Sequence, residues 1–461
     1  MENIMLSICM IVKNEQRCLE RCLKSLAPLR EQINCEVIVT DTGSTYNTLE
    51  IAEKYADKIL HFKWCDDFSA ARNVGMEEAK GEWILVIDAD EELVEDVSHL
   101  VKFFNSEERN QYAGAFLTEM NCSNAEMCNQ CKSLKDYTGA SSIFLAYRLF
   151  RANLKPRYVG IIHEYVPYKE PFYTFALTLY HDGYAFEDEA KRRQKRMRNA
   201  SLLQKKLKEN LHDLRTIIQI MREREVIKKD IYEKLVLLEE DIAYKNLKSD
   251  YAPVAFRQIA SYYYEKKEFE KVLKICKDFL HFFNKDKYEI WQMDIRYLQA
   301  NCLFQQKQYE PTIKISDRYI QLMDKYRNNK LDSQLLRINY PTYLNREEFM
   351  QHLQSKCYME LNEVKKAGEL IKKVNLKKVT GNGLYNLYWV IVRLSHIKES
   401  DISLKEYYPL LLEIMESESA QRSSAKNAYN MIHSYIAGLP EEKRNILLEQ
   451  ISSFEKKKDN L

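Results

Sequence analysis

The sequence predicts an α/β N-terminal domain, a mostly parallel sheet with flanking helices, followed by an all-α helical-repeat domain. Three observations carry this. Strand-like and helix-like patterns alternate through residues 1–185, as they do where crossover helices join parallel strands. Helix–turn–helix pairs recur between Tyr251 and Val374. Breakers are scarce: 11 Gly and 9 Pro in 461 residues are too few for a turn-rich all-β chain.

The elements follow in order. Leu6–Lys13 is a β-type run, and Gln16–Leu29 has helical spacing through Cys18, Leu19, Cys22, Leu23 and Leu26. Cys35–Asp41 is a strand running into Thr-Gly-Ser-Thr, followed by a helix over Asn47–Tyr55. Ile59–Trp64 is a short strand, and Ser69–Lys80 is a helix with Ser69 expected at its N-cap. Glu82–Asp88 is a strong strand that ends in Asp-Ala-Asp-Glu-Glu. Ala113–Thr118, Ile143–Arg151 and Tyr173–His181 are three further strands.

The character changes after about Ala185. Lys191–Glu240 is charged and helical. Ala255–Leu280, Arg296–Ile320 and Met350–Val374 are then helical hairpins with one plan. Each has a small residue at its crossing point (Ala260, Ala300, Ser355), an aromatic nearby and a polar turn before the second helix. This resembles the tetratricopeptide repeat, with a longer period. Leu384–Leu461 is helical and expected to cap the array. The expected domains are 1–185, connecting helices over 186–250, hairpins over 251–380 and a cap over 381–461.

Composition narrows the function. Lys and Arg total 70 against 68 Asp and Glu, a net charge of +2 that disfavours a dedicated nucleic-acid binder. No stretch reaches the roughly 18 apolar residues of a membrane span. The apolar start lacks the basic flank and cleavage site of a signal peptide, so the 11 cysteines are expected to be thiols of a cytoplasmic protein.

The sharpest local signal is Asp88-Ala89-Asp90 after a buried strand, where open α/β sheets bind ligands. Two carboxylates two apart share one side of an extended chain and can share a hard divalent cation. Most isolated Asp-x-Asp pairs are solvated loop charges; the neighbouring motifs favour the functional reading here. In Thr40–Thr45, Asp41 can accept from a base N–H, and Gly43 lets the backbone turn close to a ligand. The plainer reading is a βα turn capped by Ser44 or Thr45. Arg72 stands in the first turns of a helix whose N-terminus favours anions; otherwise it pairs at the surface with Asp66 or Asp67.

Taken together, LSICMIVKNE, VIVTDTGSTYNT and WCDDFSAARNVGMEEAKGEWILVIDADEE resemble the family 2 glycosyltransferases over roughly residues 5–185. The resemblance implies a GT-A fold, a nucleotide-diphosphate sugar donor, a divalent metal (Mn²⁺ or Mg²⁺) and inversion at the anomeric carbon. By position it places Val12, Asn14 and Glu15 in the nucleotide pocket and Asp41 at the base. Arg72 then supports the donor, Asp88 lies near the ribose and Asp90 is the metal ligand. Arg148–Arg151, Gly160–Glu164 and Tyr180–Tyr184 are similar to the acceptor half of members with a helical-repeat C-terminal domain, the sublancin-type peptide S-glycosyltransferases among them.

An inverting transfer needs a base on the acceptor, and Glu164 is the candidate; otherwise it orients His163 or Arg148. His181 is either a further metal ligand or a buried structural histidine. Cys122, Cys128 and Cys131 lack a fourth ligand at zinc spacing and read as a thiol-bearing loop. The basic run Lys191–Arg198 reads first as a solvated helix face, and alternatively as a patch for an acidic peptide or anionic membrane.

The expected activity is hexosyl transfer from UDP-glucose or a related UDP-hexose to a Cys, Ser or Thr side chain of a peptide or protein. The helical half would recognise the acceptor or form a homodimer. A cell-envelope saccharide acceptor and a helical scaffold with a vestigial site are the rival readings.

Overall fold

The computed structural model describes residues 4–45, 47–93, 96–122, 140–183, 188–328, 330–331, 342–375, 379, 382–416 and 422–455. The chain forms two compact units, residues 1–235 and 236–461.

The N-terminal unit is built on one mixed sheet. Its strands are β1 (Leu6–Val12), β2 (Cys35–Asp41), β3 (Lys58–His61), β4 (Trp83–Val86), β5 (Glu91–Leu93), β6 (Gly114–Cys122), β7 (Ala140–Arg151) and β8 (Phe172–His181). They lie in the order β3-β2-β1-β4-β7-β6-β8-β5. The first four are mutually parallel, because a helix returns the chain after each of β1, β2 and β3. The second half is mainly antiparallel: β7 pairs with β4 and β6, and β5 with β8, while β6 and β8 run parallel. The short β5 is absent from the sequence-based reading, since Glu-Glu-Leu carries no strand pattern of its own.

Helices α1 (Leu19–Ser25), α2 (Ala27–Arg30), α3 (Thr48–Tyr55), α4 (Phe68–Glu77) and α5 (Ser98–Phe104) flank the sheet. The single helix expected over Gln16–Leu29 is two, separated at Leu26 with Pro28 in the first turn of the second. Ser69 is not the cap of α4. Asp67 precedes it and accepts the Ala70 amide at 2.9 Å, being the first residue with extended backbone before the helix. Alternate strand residues (Leu6, Ile8, Met10; Val37, Val39; Trp83, Leu85) form the main core with α1 and Phe103 and Phe104 of α5. Helices α6 (Glu189–Glu209), α7 (Leu214–Arg222) and the start of α8 (Lys229–Lys245) complete this unit.

The C-terminal unit is helical. It contains α9 (Ala252–Glu265), α10 (Phe269–Phe282), α11 (Glu289–Gln305), α12 (Tyr309–Arg327), α13 (Glu347–Glu360), α14 (Val364–Ile371), α15 (Asn382–Leu394), α16 (Leu404–Glu416), α17 (Arg422–Ala437) and α18 (Glu441–Glu455). The three crossing-point residues Ala260, Ala300 and Ser355 are fully buried. The polar turns share one geometry. Lys267, Lys307 and Asn362 take φ of 60°, 59° and 60°, and the next amide bonds a carbonyl five residues back in each case (Tyr263, Leu303, Tyr358). This left-handed termination satisfies carbonyls that the ending helix would otherwise leave open.

Candidate functional site

The carboxyl ends of β1, β2 and β4 lie at one edge of the sheet because the strands are parallel and in register. Two loops there are laced together. Asn14, at φ 60°, accepts the Thr45 amide at 2.8 Å through Oδ1 and donates its own amide to Ser44 Oγ at 3.0 Å. Asp41 accepts the amides of Gly43 and Ser44, each at 3.1 Å, and Gly43 turns the chain at φ 102°. Ser44 and Thr45 thus brace Asn14 rather than cap α3, which shows no side-chain cap bond.

Beside this brace lies a cleft of about 550 Å³. Val12, Glu15, Arg72, Asp88, Asp90, Glu164 and His181 line it; Asn14, Asp41 and Gly43 are not among the lining residues. The latter three shape the loops, and Thr42 between them reaches the wall.

Asp88 and Asp90 sit in the turn between β4 and β5, closed by the Glu91 amide on the Asp88 carbonyl at 3.0 Å. The chain is therefore not extended there, and the two carboxylates take different partners. Asp88 meets Arg72 Nη1 at 2.7 Å and Arg148 Nη2 at 3.4 Å. Burial opposes its charge, but the two guanidinium groups outweigh burial and hold its carboxyl well below the usual range. Asp90 Oδ2 lies 3.0 Å from His181 Nε2, and the other ring nitrogen lies 2.6 Å from Asn121 Oδ1. Asn121 and Glu91 face His181 across the sheet, since both pair with it in register. Burial disfavours the charged imidazole, yet the bond to Asp90 and the nearby charges of Asp90, Glu91 and Glu119 together outweigh it and the pKa rises to about 9.

Arg148 is the hub that sequence reasoning left without a role. Its Nη2 also meets Glu91 at 2.6 Å and Glu119 at 3.1 Å. Burial first, then Asp88 and Glu119, push the Glu91 carboxyl up to about 8 against the pull of Arg148. The available signal was Glu119 within the mostly apolar run of β6; Glu91 offered none. Asp182 is a second residue that was missed. Its fully buried carboxylate is gripped by Arg17 through two bonds of 2.8 Å and by Arg21 at 2.5 Å, which ties α1 to the end of β8.

Helix α4 holds the loop over residues 158–164. Gly160 accepts from Ser69 Oγ at 2.7 Å, and Ile161 accepts the Phe68 amide at 2.9 Å. Asn73 bonds the Tyr158 backbone in both directions. Arg72 is no surface residue pairing with Asp66 or Asp67: it joins Asp88 to Glu164, whose Oε1 lies 2.7 Å from its Nε. Among the described residues Glu164 bonds neither His163 nor Arg148. His163, at φ 50°, is fixed by Arg215 of α7, which donates to its carbonyl at 2.7 Å, and burial pushes its imidazole pKa down to about 4.

The basic run is more than a solvated face. Lys195, Arg198 and Asn199 of α6 line the cleft. Cys122 is buried at the end of β6; Cys128, Cys131 and Tyr184 lie outside the described residues.

The implied divalent ion can be tested against these groups. Among the described residues, no three His, Cys, Asp or Glu side chains converge as a ligand set. Asp90 and His181 form a two-residue corner facing the cleft, with the far imidazole nitrogen anchored on Asn121. Such a corner fits an ion that keeps open positions for phosphate oxygens and water.

The family model described as Glycosyl transferase family 2 matches residues 7–137. The glycosyltransferase SunS of Bacillus phage SPbeta is 29% identical over 233 residues, 48% of this chain and 49% of that protein. A TPR repeat-containing protein of Synechococcus elongatus is 52% identical over 88 residues, 19% of this chain and 21% of that protein. The chain thus spans about half or less of the length of these relatives. Staphylococcus aureus TarS 1–349, solved in complex with UDP-GlcNAc, is 13% identical at a TM-score of 0.31, covering 71% of this chain and 93% of that one. No helix among the described residues is long and apolar enough to cross a membrane. The N-terminal unit, built on its mixed sheet, thus carries a stretch over residues 7–137 that matches the Glycosyl transferase family 2 model.

Proposed function

We propose that the cleft transfers a hexose from a UDP-sugar to a peptide or protein side chain, with inversion and with help from a divalent cation. One observation carries the reading. Asp88, Asp90, Arg72, His181 and Glu164, drawn from distant parts of the sequence, line one cleft at the carboxyl edge of a parallel sheet. The family model supports the chemistry, and the resemblance to peptide S-glycosyltransferases supports the acceptor.

Each residue has a task. The loops braced by Asn14 and Asp41 hold the nucleotide end. Asp88, fixed by two guanidinium groups, is an ionised acceptor for donor hydroxyls. Asp90 and His181 would hold the cation, which supplies Lewis-acid neutralisation of the diphosphate. Glu164 is kept in place through Oε1 and takes the proton from the acceptor thiol or hydroxyl. The acceptor atom then bonds the anomeric carbon as the bond to the diphosphate oxygen breaks on the opposite face. A Cys thiol, with a pKa of about 8.5, asks less of this base than a hydroxyl.

The test is UDP release from a panel of UDP-sugars with Mn²⁺ or Mg²⁺, first alone and then with Cys- or Ser/Thr-containing peptides and with saccharides. Metal-dependent release from one donor, stimulated by peptide and reduced about 100- to 1,000-fold in Asp90→Ala, is expected. Release stimulated by saccharides and not by peptides would move the acceptor to the cell envelope. A chain that binds no nucleotide would be a scaffold.

A further inference from the structure

The charges on the cleft do not balance until α6 is counted. Once an ion takes the His181 imidazole in its neutral form, Glu15, Asp88, Asp90 and Glu164 line the cleft against Lys13 and Arg72, four carboxylates against two cations. Arg72 is moreover committed to Asp88 and Glu164. A divalent ion at Asp90 and His181 would cancel the excess negative charge and leave no surplus. The departing nucleotide diphosphate gains a further negative charge as its bond to the sugar breaks, so a further positive group is required near it.

We infer that Lys195 and Arg198 of α6 are that group, a cationic wall that receives the diphosphate of the donor. The inference rests on the transferase reading given above. Positions 195, 198 and 199 lie three and four residues apart and so share one helix face. That face lines the cleft. It is also held in register. The Arg198 guanidinium lies over the Phe68 ring at 5.2 Å and donates to Asn199 Oδ1 at 3.1 Å, while Asn199 donates to Glu223 Oε1 at 3.3 Å. Phe68 opens α4, the helix that carries Arg72, so the new cations are referenced to the same element as the old one. The rest of the basic run, Lys191 to Arg193 and Arg196, is absent from the cleft lining. The wall is a donor-site feature lying beyond residues 7–137, where the family model ends.

The experiment compares UDP with UMP, which differ by the phosphate that the wall would receive. Binding of each to the full chain is measured by titration calorimetry in Mg²⁺, for wild type and for Lys195→Ala/Arg198→Ala. Both positions are solvent-facing, and a matching thermal melt checks the fold. The expected result is a UDP affinity about 10- to 100-fold weaker with UMP affinity changed less than about threefold. Lys195→Arg/Arg198→Lys, which keeps both charges, should restore most of the UDP affinity. Equal weakening for both nucleotides, or none for either, would overturn the inference while leaving the transferase reading intact. Weakened binding of an acceptor peptide with UDP unaffected would overturn it too, and would reassign the wall to the acceptor. Failure of the wild type to bind either nucleotide would instead overturn the transferase reading beneath it.

Discussion

The two units bury different things. In the N-terminal unit, Arg72 and Arg148 together touch four carboxylates, all largely withdrawn from water. In the C-terminal unit the buried groups are mainly apolar, from Phe256 and Trp291 to Leu384 and Leu411, around turns of one repeated form. Burying charge is expensive and stabilises little by itself, whereas burying apolar surface is the main source of stability. The contrast teaches where each unit's structure is dictated by chemistry and where by packing. A polar network on this scale, at the edge of a sheet, is what a preorganised site requires.

Three substitutions would break or sharpen that contrast. The largest effect is expected for Arg148→Ala. It leaves Asp88, Glu91 and Glu119 facing one another without their common cation, and should cost about 3–5 kcal/mol of N-terminal stability together with nucleotide release. Urea unfolding followed alongside UDP release would show both; a loss below about 1 kcal/mol would mean that the network is more solvated than its geometry indicates. Next is Trp291→Ala, which removes a fully buried indole packed under the Arg257 guanidinium at 5.8 Å. A loss of about 3–5 kcal/mol is expected in hydrogen exchange of the C-terminal helices, with acceptor-independent UDP release retained. Parallel loss of that release would erase the distinction between the units. The smallest is Lys267→Gly. Glycine takes a positive φ without the penalty that a side chain carries, so the repeat turn should gain a few tenths to about 1 kcal/mol, visible as a rise in melting temperature.

How far the sequence foretold this depended on range. Cys35–Asp41 is found as β2 residue for residue, because a buried parallel strand is a nearly continuous apolar run. Asp88 and Asp90 were readable for the same reason: the run ends and two carboxylates follow. The Arg148 hub was not, since Glu91, Glu119 and Arg148 meet only through the pairing of β5 to β8, of β8 to β6 and of β6 to β7. Glu164 was picked out, but its partner was not. Arg72 lies 92 positions away, and only the docking of the Gly160–Glu164 loop on α4 brings the two together. Lys195 and Arg198 looked like any basic stretch, because composition cannot tell an exposed helix face that borders a cleft from one that borders none.

Gly183 gives the site an unusual property. A β-carbon built there would lie 2.3 Å from Asp90 Oδ2 and 2.7 Å from His181 Nε2. The pair can therefore be forced apart by adding one methyl group at a neighbour while no ionisable group is removed. Silencing by removal of Asp90 changes what the cleft attracts; silencing by insertion of a methyl group leaves the surrounding charge as it was.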